Sequence, residues 1–401
     1  MQKVGMGYKF VTEDRTDQSP IFSDIRSFVR SHGNLKYNYS DTNLPDIACD
    51  PFSPSRVCDE VELVAPKDQS FYFEKKPFLF GKTVVTYPKG SGGYKILCDV
   101  IRSKIFGNRG FMVIADGCGW GSRAQRAADI ASKAALDYLS RQQVQESITS
   151  LDLCRAEIFN AFEQAHKKII ELQGELLPNG KMDLSGCGTT TLACSIIFKV
   201  QSTFPTDEWA FVCGSVGDCK AFHLNGLNGK VTDITFGNRR NVRDAKDCGG
   251  RLGPWIRKEE PDYRNRATYF WPCIQGDFVI LVSDGVHDNL DPETRGLTPK
   301  ECTKGEFDYE SWDDLPNSVI EMVKSTYACS LMEKILLDSK TPKSIVSALI
   351  HHAESETRKS REYMEANPNE KEPNDYKSFP GKMDHTSCIC FSIGYKLDTF
   401  C

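Results

Sequence analysis

Short apolar runs that close on an aspartate recur along this chain, and they set the first expectations about its fold. GFMVIAD (110–116) is a compact apolar stretch ending on an acid, the pattern of a buried strand. The rhythm then changes. From residue 122 to 139, Ala124, Ala127, Ala128, Ala131, Ala135 and Leu139 recur at helical spacing, which predicts a helix with a narrow, small-residue face that packs closely. Ile158, Phe162, Ala165, Ile169 and Leu172 carry a second helical stripe. TTTLACSIIF (189–198), EWAFVCGSVGD (208–218) and CKAFHL (219–224) follow as strands without intervening helices, and such close neighbours are expected to pair antiparallel. GDFVILVSDG (276–285) again ends on an aspartate, and SCICFSIGY (387–395) begins just after one. Between them the pattern predicts helices at about 319–337 and 344–356, then a charged loop over 359–380. Helices and strands come in groups rather than in alternation. That order predicts an α+β fold with antiparallel sheets, not a doubly wound parallel sheet.

Residues 1–80 lack this periodicity. DTNLPDIACDPFSPSRVCDE is rich in turn formers, so the segment is expected to be an irregular N-terminal extension, anchored by Phe71, Tyr72, Phe73, Phe78 and Phe80. Composition adds exclusions. Hydrophobic residues make up 40% and charged residues 26% of the 401, the balance of a folding chain. A net charge of -5 speaks against a nucleic-acid binder. No apolar stretch reaches the ~20 residues needed to span a bilayer, and residues 1–20 hold no signal-peptide core. The expectation is a soluble protein of the cytoplasm or nucleus with no membrane partner. The 16 cysteines include no C-x-x-C pair and often lie inside apolar runs, which predicts reduced, structural thiols.

Candidate chemistry lies in the acids at the strand ends. Asp116, Asp284 and Asp384 each adjoin an apolar strand, and Gly117 and Gly285 follow the first two. A strand end holds a carboxylate rigidly, and a glycine lets a ligand approach the main chain. Asp218 shares the setting, Asp288 lies one helical turn past Asp284, and Asp99 precedes a further strand. Any one Asp-Gly alone reads as a turn. Several together point to an oxygen-ligand site for Mg²⁺ or Mn²⁺. Other motifs carry less. Cys118 and Arg123 miss the Cys-x5-Arg spacing of cysteine phosphatases by one residue, and the Gly-x-Gly of DGCGWG lacks the later acid of a dinucleotide site. His287 and His385 read as neighbours of ligands or as surface residues, His351 and His352 as an exposed pair, and Arg239, Arg240 and Arg243 as a solvated basic face.

In ordered blocks over 99–395 the chain resembles the metal-dependent protein phosphatase family (type 2C, PPM). The blocks are FMVIADGCGWGSRAQRAA, GCGTTTLACSII, FVCGSVGDCKAFHL, NVRDAKDCGGRL, FVILVSDGVHDNL and PGKMDHTSCICFSI. The resemblance implies an αββα sandwich of two antiparallel sheets flanked by helices, with a binuclear metal centre at one end. Residues 81–401 would form the catalytic domain, with a helical and charged insertion at about 291–380 read as a surface ornament. Asp116 would bridge two Mg²⁺ or Mn²⁺ ions and the Gly117 carbonyl would bind one. Asp284 and Asp384 would complete the shell, Asp99 would add an outer acid, and Asp218 and Asp288 could hold a third, weaker ion. The implied activity is hydrolysis of phosphoserine or phosphothreonine in a phosphoprotein by a metal-activated hydroxide, with no phosphoenzyme. Three positions depart from the pattern. Tyr94 stands where the family has a phosphate-gripping arginine, with Lys95 beside it as a point-charge substitute. Cys98 replaces the acid before Asp99, and Cys118 replaces a histidine general acid. These departures give the alternative reading, a weak or inactive pseudophosphatase that serves as a binding or regulatory module. Substrate, oligomeric state and the role of the extension are not legible.

Overall fold

The computed structural model describes residues 49–52, 70–72, 78–106, 108–200, 209–239, 241–256 and 259–394. Most of the expected N-terminal extension, Phe73 included, lies outside them. Two antiparallel sheets face each other. The first takes β1 (Ser70–Tyr72), β2 (Leu79–Val85), β7 (Lys220–Leu224), β8 (Val231–Asp233), β12 (Phe278–Val282) and β13 (His385–Ser392), in the order β1-β2-β13-β12-β7-β8. The second is built from β3 (Asp99–Ile105), β4 (Arg109–Gly117), β5 (Thr190–Lys199), β6 (Trp209–Val216), β9 (Arg251–Ile256), β10 (Glu260–Asp262) and β11 (Ala267–Cys273). Its path runs β10-β9-β5-β4-β3, and β6 pairs with both β5 and β11.

The alternation of side chains along each strand sorts the core into three layers. Met112 and Ile114 of β4 meet Val279 and Leu281 of β12 and Ile389 and Phe391 of β13 between the sheets. Phe111, Val113 and Ala115 point the other way, onto α2 (Ser122–Leu139) and α3 (Leu151–Gln173). The fully buried alanines at 127, 128, 131 and 135 let α2 lie close to that sheet, as their spacing predicts. On the opposite side Ile280, Val282, Cys388 and Cys390 pack against Ile345, Val346, Leu349 and Ile350. The result is the expected αββα arrangement.

Three differences from the sequence reading have plain causes. The pairing of β1 with β2 carries the sheet across residue 80. Strand β2 escapes the pattern because Gly81 interrupts LFGKTVV; a Cβ there would come within 2.6 Å of Ile101 Cδ1. The helices of 291–380 are a layer of the sandwich rather than an ornament: α5 (Asn317–Ile335) and α6 (Pro342–Glu356) cover the first sheet with a buried apolar stripe. The charged segment after them opens as a helix, α7 (Arg358–Ala366), tied down by Arg361 Nη2 donating to the Glu354 carbonyl at 3.1 Å. The described cysteines are all free thiols.

Candidate metal centre

Strand register brings the predicted acids to one end of the sandwich. Asp99 and Asp116 are direct partners across the β3–β4 ladder, on the pleat face they share with Ile101 and Ile114, which look toward the other sheet. Asp284 opens the short helix α4 (Asp284–His287) as the chain leaves β12, and Asp384 immediately precedes β13, the neighbour of β12. Asp218 lies in the turn between β6 and β7. The two Asp-Gly glycines are required by packing. A Cβ on Gly117 would sit 2.6 Å from the Ala124 carbonyl oxygen of α2, and one on Gly285 would sit 2.2 Å from the His385 carbonyl oxygen.

The carboxylates act strongly on one another. Burial, together with the charges of Asp284, Asp99, Asp384 and Asp218, holds the Asp116 carboxyl well above the usual range. Burial pushes the fully buried Asp99 up to about 6, which His385 and the hydroxyls of Ser387 and Ser283 only partly offset. Asp218 is raised to about 7 by burial, which Arg239 only partly offsets. Asp384 is also raised, by burial and by Asp284.

Two cations that sequence reasoning missed enter the cluster. Lys382 Nζ donates to Asp284 Oδ2 at 2.5 Å and to Asp288 Oδ2 at 2.9 Å, and it lies 3.1 Å from Asp384 Oδ2. Arg239 donates from Nη1 to Asp288 Oδ1 at 2.9 Å and from Nη2 to Asp218 Oδ2 at 2.8 Å. Burial alone would raise Asp284 and Asp288, but Lys382 and His287 hold Asp284 below the usual range, and Arg239, Lys382 and His287 hold Asp288 well below it. Arg239 is therefore a buried site residue, which corrects the reading of a solvated basic face; the burial of its partners draws it in. Tyr87 Oη donates to Asp384 Oδ1 at 2.9 Å and accepts from Trp120 Nε1 at 3.0 Å, which puts the exposed Trp120 at the rim.

Other predicted residues fall outside this cluster or serve it indirectly. His385 is buried and shares a hydrogen bond of 2.7 Å with the Gly93 carbonyl, inside the helix α1 (Gly92–Lys95) that carries Tyr94. His287 Nδ1 lies 3.1 Å from Asp288 Oδ1. His351 is exposed as expected, whereas His352 turns in to the Asn289 carbonyl at 3.0 Å. Lys95 ends α1 with its side chain exposed. Cys98 is buried, its thiol directed at the Ile96 and Gly121 carbonyls, while Cys118 sits against Cys248.

Does this cluster suit divalent ions? The donors are all carboxylate oxygens, the set preferred by Mg²⁺ and Mn²⁺. One oxygen each of Asp218 and Asp284 is buried without a partner among the described residues. The charge count points the same way. Counted as fully ionised, the state that ligates a cation, six aspartates carry −6 against the +2 of Lys382 and Arg239 among the described residues. Among the described residues no three His, Cys, Asp or Glu side chains already converge on one point. In donor type and charge, the residues fit divalent cations.

One curated protein is similar in sequence to this chain. The PP2C-like domain-containing protein CG9801 of Drosophila melanogaster is 27% identical over 203 residues, which span 49% of this chain and 26% of that protein. Over that segment the chain is similar to a PP2C-like protein. The match thus spans about a quarter of the relative's length. No family model matches this PP2C-like chain. Among solved structures, the photosystem II phosphatase PBCP is 14% identical with a TM-score of 0.43, covering 75% of this chain and 92% of its own. RsbX in complex with magnesium is 12% identical with a TM-score of 0.40, covering 81% and 99% respectively. No helix of the described residues is long and apolar enough to cross a membrane.

Proposed function

We propose that this PP2C-like chain is a metal-dependent phosphoric monoester hydrolase acting on phosphoserine or phosphothreonine in a phosphoprotein substrate, with Mg²⁺ or Mn²⁺ as cofactor. The observation that carries the reading is the excess of carboxylates at the end of the sandwich: among the described residues, six aspartates meet two side-chain cations, Arg239 and Lys382. Asp116, Asp284, Asp384 and the Gly117 carbonyl would hold the ions, with Asp99 as an outer acid. When bound, a pair of such ions lowers the pKa of water and neutralises charge on a phosphoryl group. The chain's own work is positional. Tyr87 and the His385 backbone N–H, both at 2.9 Å, fix Asp384 Oδ1, and the β3–β4 ladder fixes Asp99 against Asp116. Lys95, exposed beside Tyr94, is the candidate phosphate contact.

Hydrolysis of p-nitrophenyl phosphate and of a phosphoserine peptide, with Mn²⁺ and with chelator, tests this reading. Turnover should require the ion, and Asp284→Asn should lower it by about two orders of magnitude or more, the scale of losing a transition-state electrostatic partner. Unchanged rates in that variant would remove Asp284 from the site. A second reading, a pseudophosphatase that binds without turning over, is favoured by the Lys382 ammonium 2.5 Å from Asp284 and by tyrosine and cysteines at 94, 98 and 118. Bound Mn²⁺ without hydrolysis of either substrate would select it.

A further inference from the structure

The two side-chain cations are not spread evenly over the six acids, and this asymmetry, taken with the two-ion reading on which the inference rests, points to a specific departure from the family pattern. Among the described residues neither Asp99 nor Asp116 makes an ion pair, whereas Asp218, Asp284 and Asp288 are joined by Arg239 and Lys382. We propose that Arg239 and Lys382 are fixed cations occupying the place among Asp218, Asp284 and Asp288 where a third divalent ion would sit, so that this chain takes two ions and not three.

The geometry of Asp288 carries the argument. It is fully buried, and both of its oxygens are engaged: Oδ1 by Arg239 Nη1 at 2.9 Å, Oδ2 by Lys382 Nζ at 2.9 Å. An ion on Asp288 would have to displace one of these donors. Arg239 cannot yield by losing its proton, because a guanidinium stays charged in proteins. It is also held from a further side, Nη2 donating to the Ala245 carbonyl at 3.1 Å. The same carbonyl accepts from Lys382 Nζ at 3.3 Å, so one oxygen steadies both cations.

The position of Lys382 is fixed independently by its backbone. Its N–H donates to Asn289 Oδ1 and its carbonyl accepts from Asn289 Nδ2, both at 3.0 Å. Asn289 follows Asp288 directly and also donates to the Gly285 carbonyl at 2.8 Å. The loop that supplies the lysine is therefore clamped to the helix turn that supplies Asp284 and Asp288. Among the three acids Lys382 reaches, Asp384 is the furthest, at 3.1 Å. The ammonium thus sits nearest to Asp284 and Asp288 of the acids it pairs with.

Counting bound Mn²⁺ by equilibrium dialysis, with Asp288→Asn as a control, tests the proposal without reference to turnover. Wild type should take two ions. Lys382→Gln, and the double variant Arg239→Gln with Lys382→Gln, should take one more, bound more weakly. Adding Asp288→Asn to the double variant should abolish the gain, while Asp288→Asn alone should leave the wild-type count unchanged and lower the melting temperature in chelator. Three ions on wild type, or no gain in either cation variant, would overturn the inference. Should the double variant fail to fold, Lys382→Gln decides alone. A count of zero on wild type would sink the two-ion reading of the site; the present inference would still stand or fall on whether the Lys382 variant gains an ion that wild type lacks.

Discussion

At the scale of single residues, the site is a set of carboxylates whose environments pull in opposite directions. Asp99 and Asp218 have folded-state values of about 6 and about 7 against an ordinary value of 3.8. Asp116 and Asp384 are raised as well, whereas Asp284 and Asp288 are lowered. The sign of the pH dependence follows. Between the ordinary value and the raised ones, the folded, metal-free protein binds more protons than the unfolded chain, so stability falls as pH rises through that window. The lowered pair loses its contribution only below the ordinary value. We expect the melting temperature of chelated protein to drop from about pH 5 to about pH 7.5, by scanning calorimetry. Saturating Mn²⁺ should flatten or reverse the slope, because ions take the place of protons. A chelated protein whose stability rises over the same interval would contradict the burial of these carboxyls.

At the scale of elements, glycine and apolar spacing decide how closely the layers approach. Gly117 lies under the first turn of α2, so Gly117→Ala pushes a Cβ to 2.6 Å from a backbone oxygen that cannot swing aside. Overpacking of this kind costs ~1–3 kcal/mol, and urea unfolding should show it as a lowered midpoint with an unchanged slope. On the opposite layer Leu349 is fully buried in α6 against the first sheet. Leu349→Ala should cost about 2–5 kcal/mol. A loss below ~0.5 kcal/mol, the range of surface substitutions, would return 291–380 to the status of an ornament. The helices themselves were legible: 122–139 was read as observed, and 319–337 and 344–356 nearly so, because their stripes are long. Strands β9 and β11 were not. RLGPWI and ATYFWPC each contain a proline, and ladder partners far along the chain decide whether such a run pairs.

At the scale of the molecule, the sandwich stacks two sheets so that acids separated by hundreds of residues share one end. Folding assembles this charge, and bound cations should therefore stabilise the fold as a whole. An ion at about 100 times its dissociation constant adds ~2.7 kcal/mol per site. We expect Mn²⁺ to raise the melting temperature of wild type and chelator to reverse it, with a smaller rise in Asp116→Asn. Equal melting temperatures with and without the ion would remove the metal from the account of this site.

The sequence by itself determined the acids and the frame that carries them. A buried strand that ends on an aspartate states both facts locally, through the alternation of side chains, and the order of such strands states the fold class. Only the tertiary structure decided what neutralises the acids. Lys382 reaches Asp284 across 98 residues and Arg239 reaches Asp288 across 49, both from irregular segments with no periodicity to mark them. In the sequence Arg239 looks like one member of a basic run. Its burial is permitted by ion pairs with the buried carboxylates of Asp218 and Asp288, a property of the assembled site that no local pattern records.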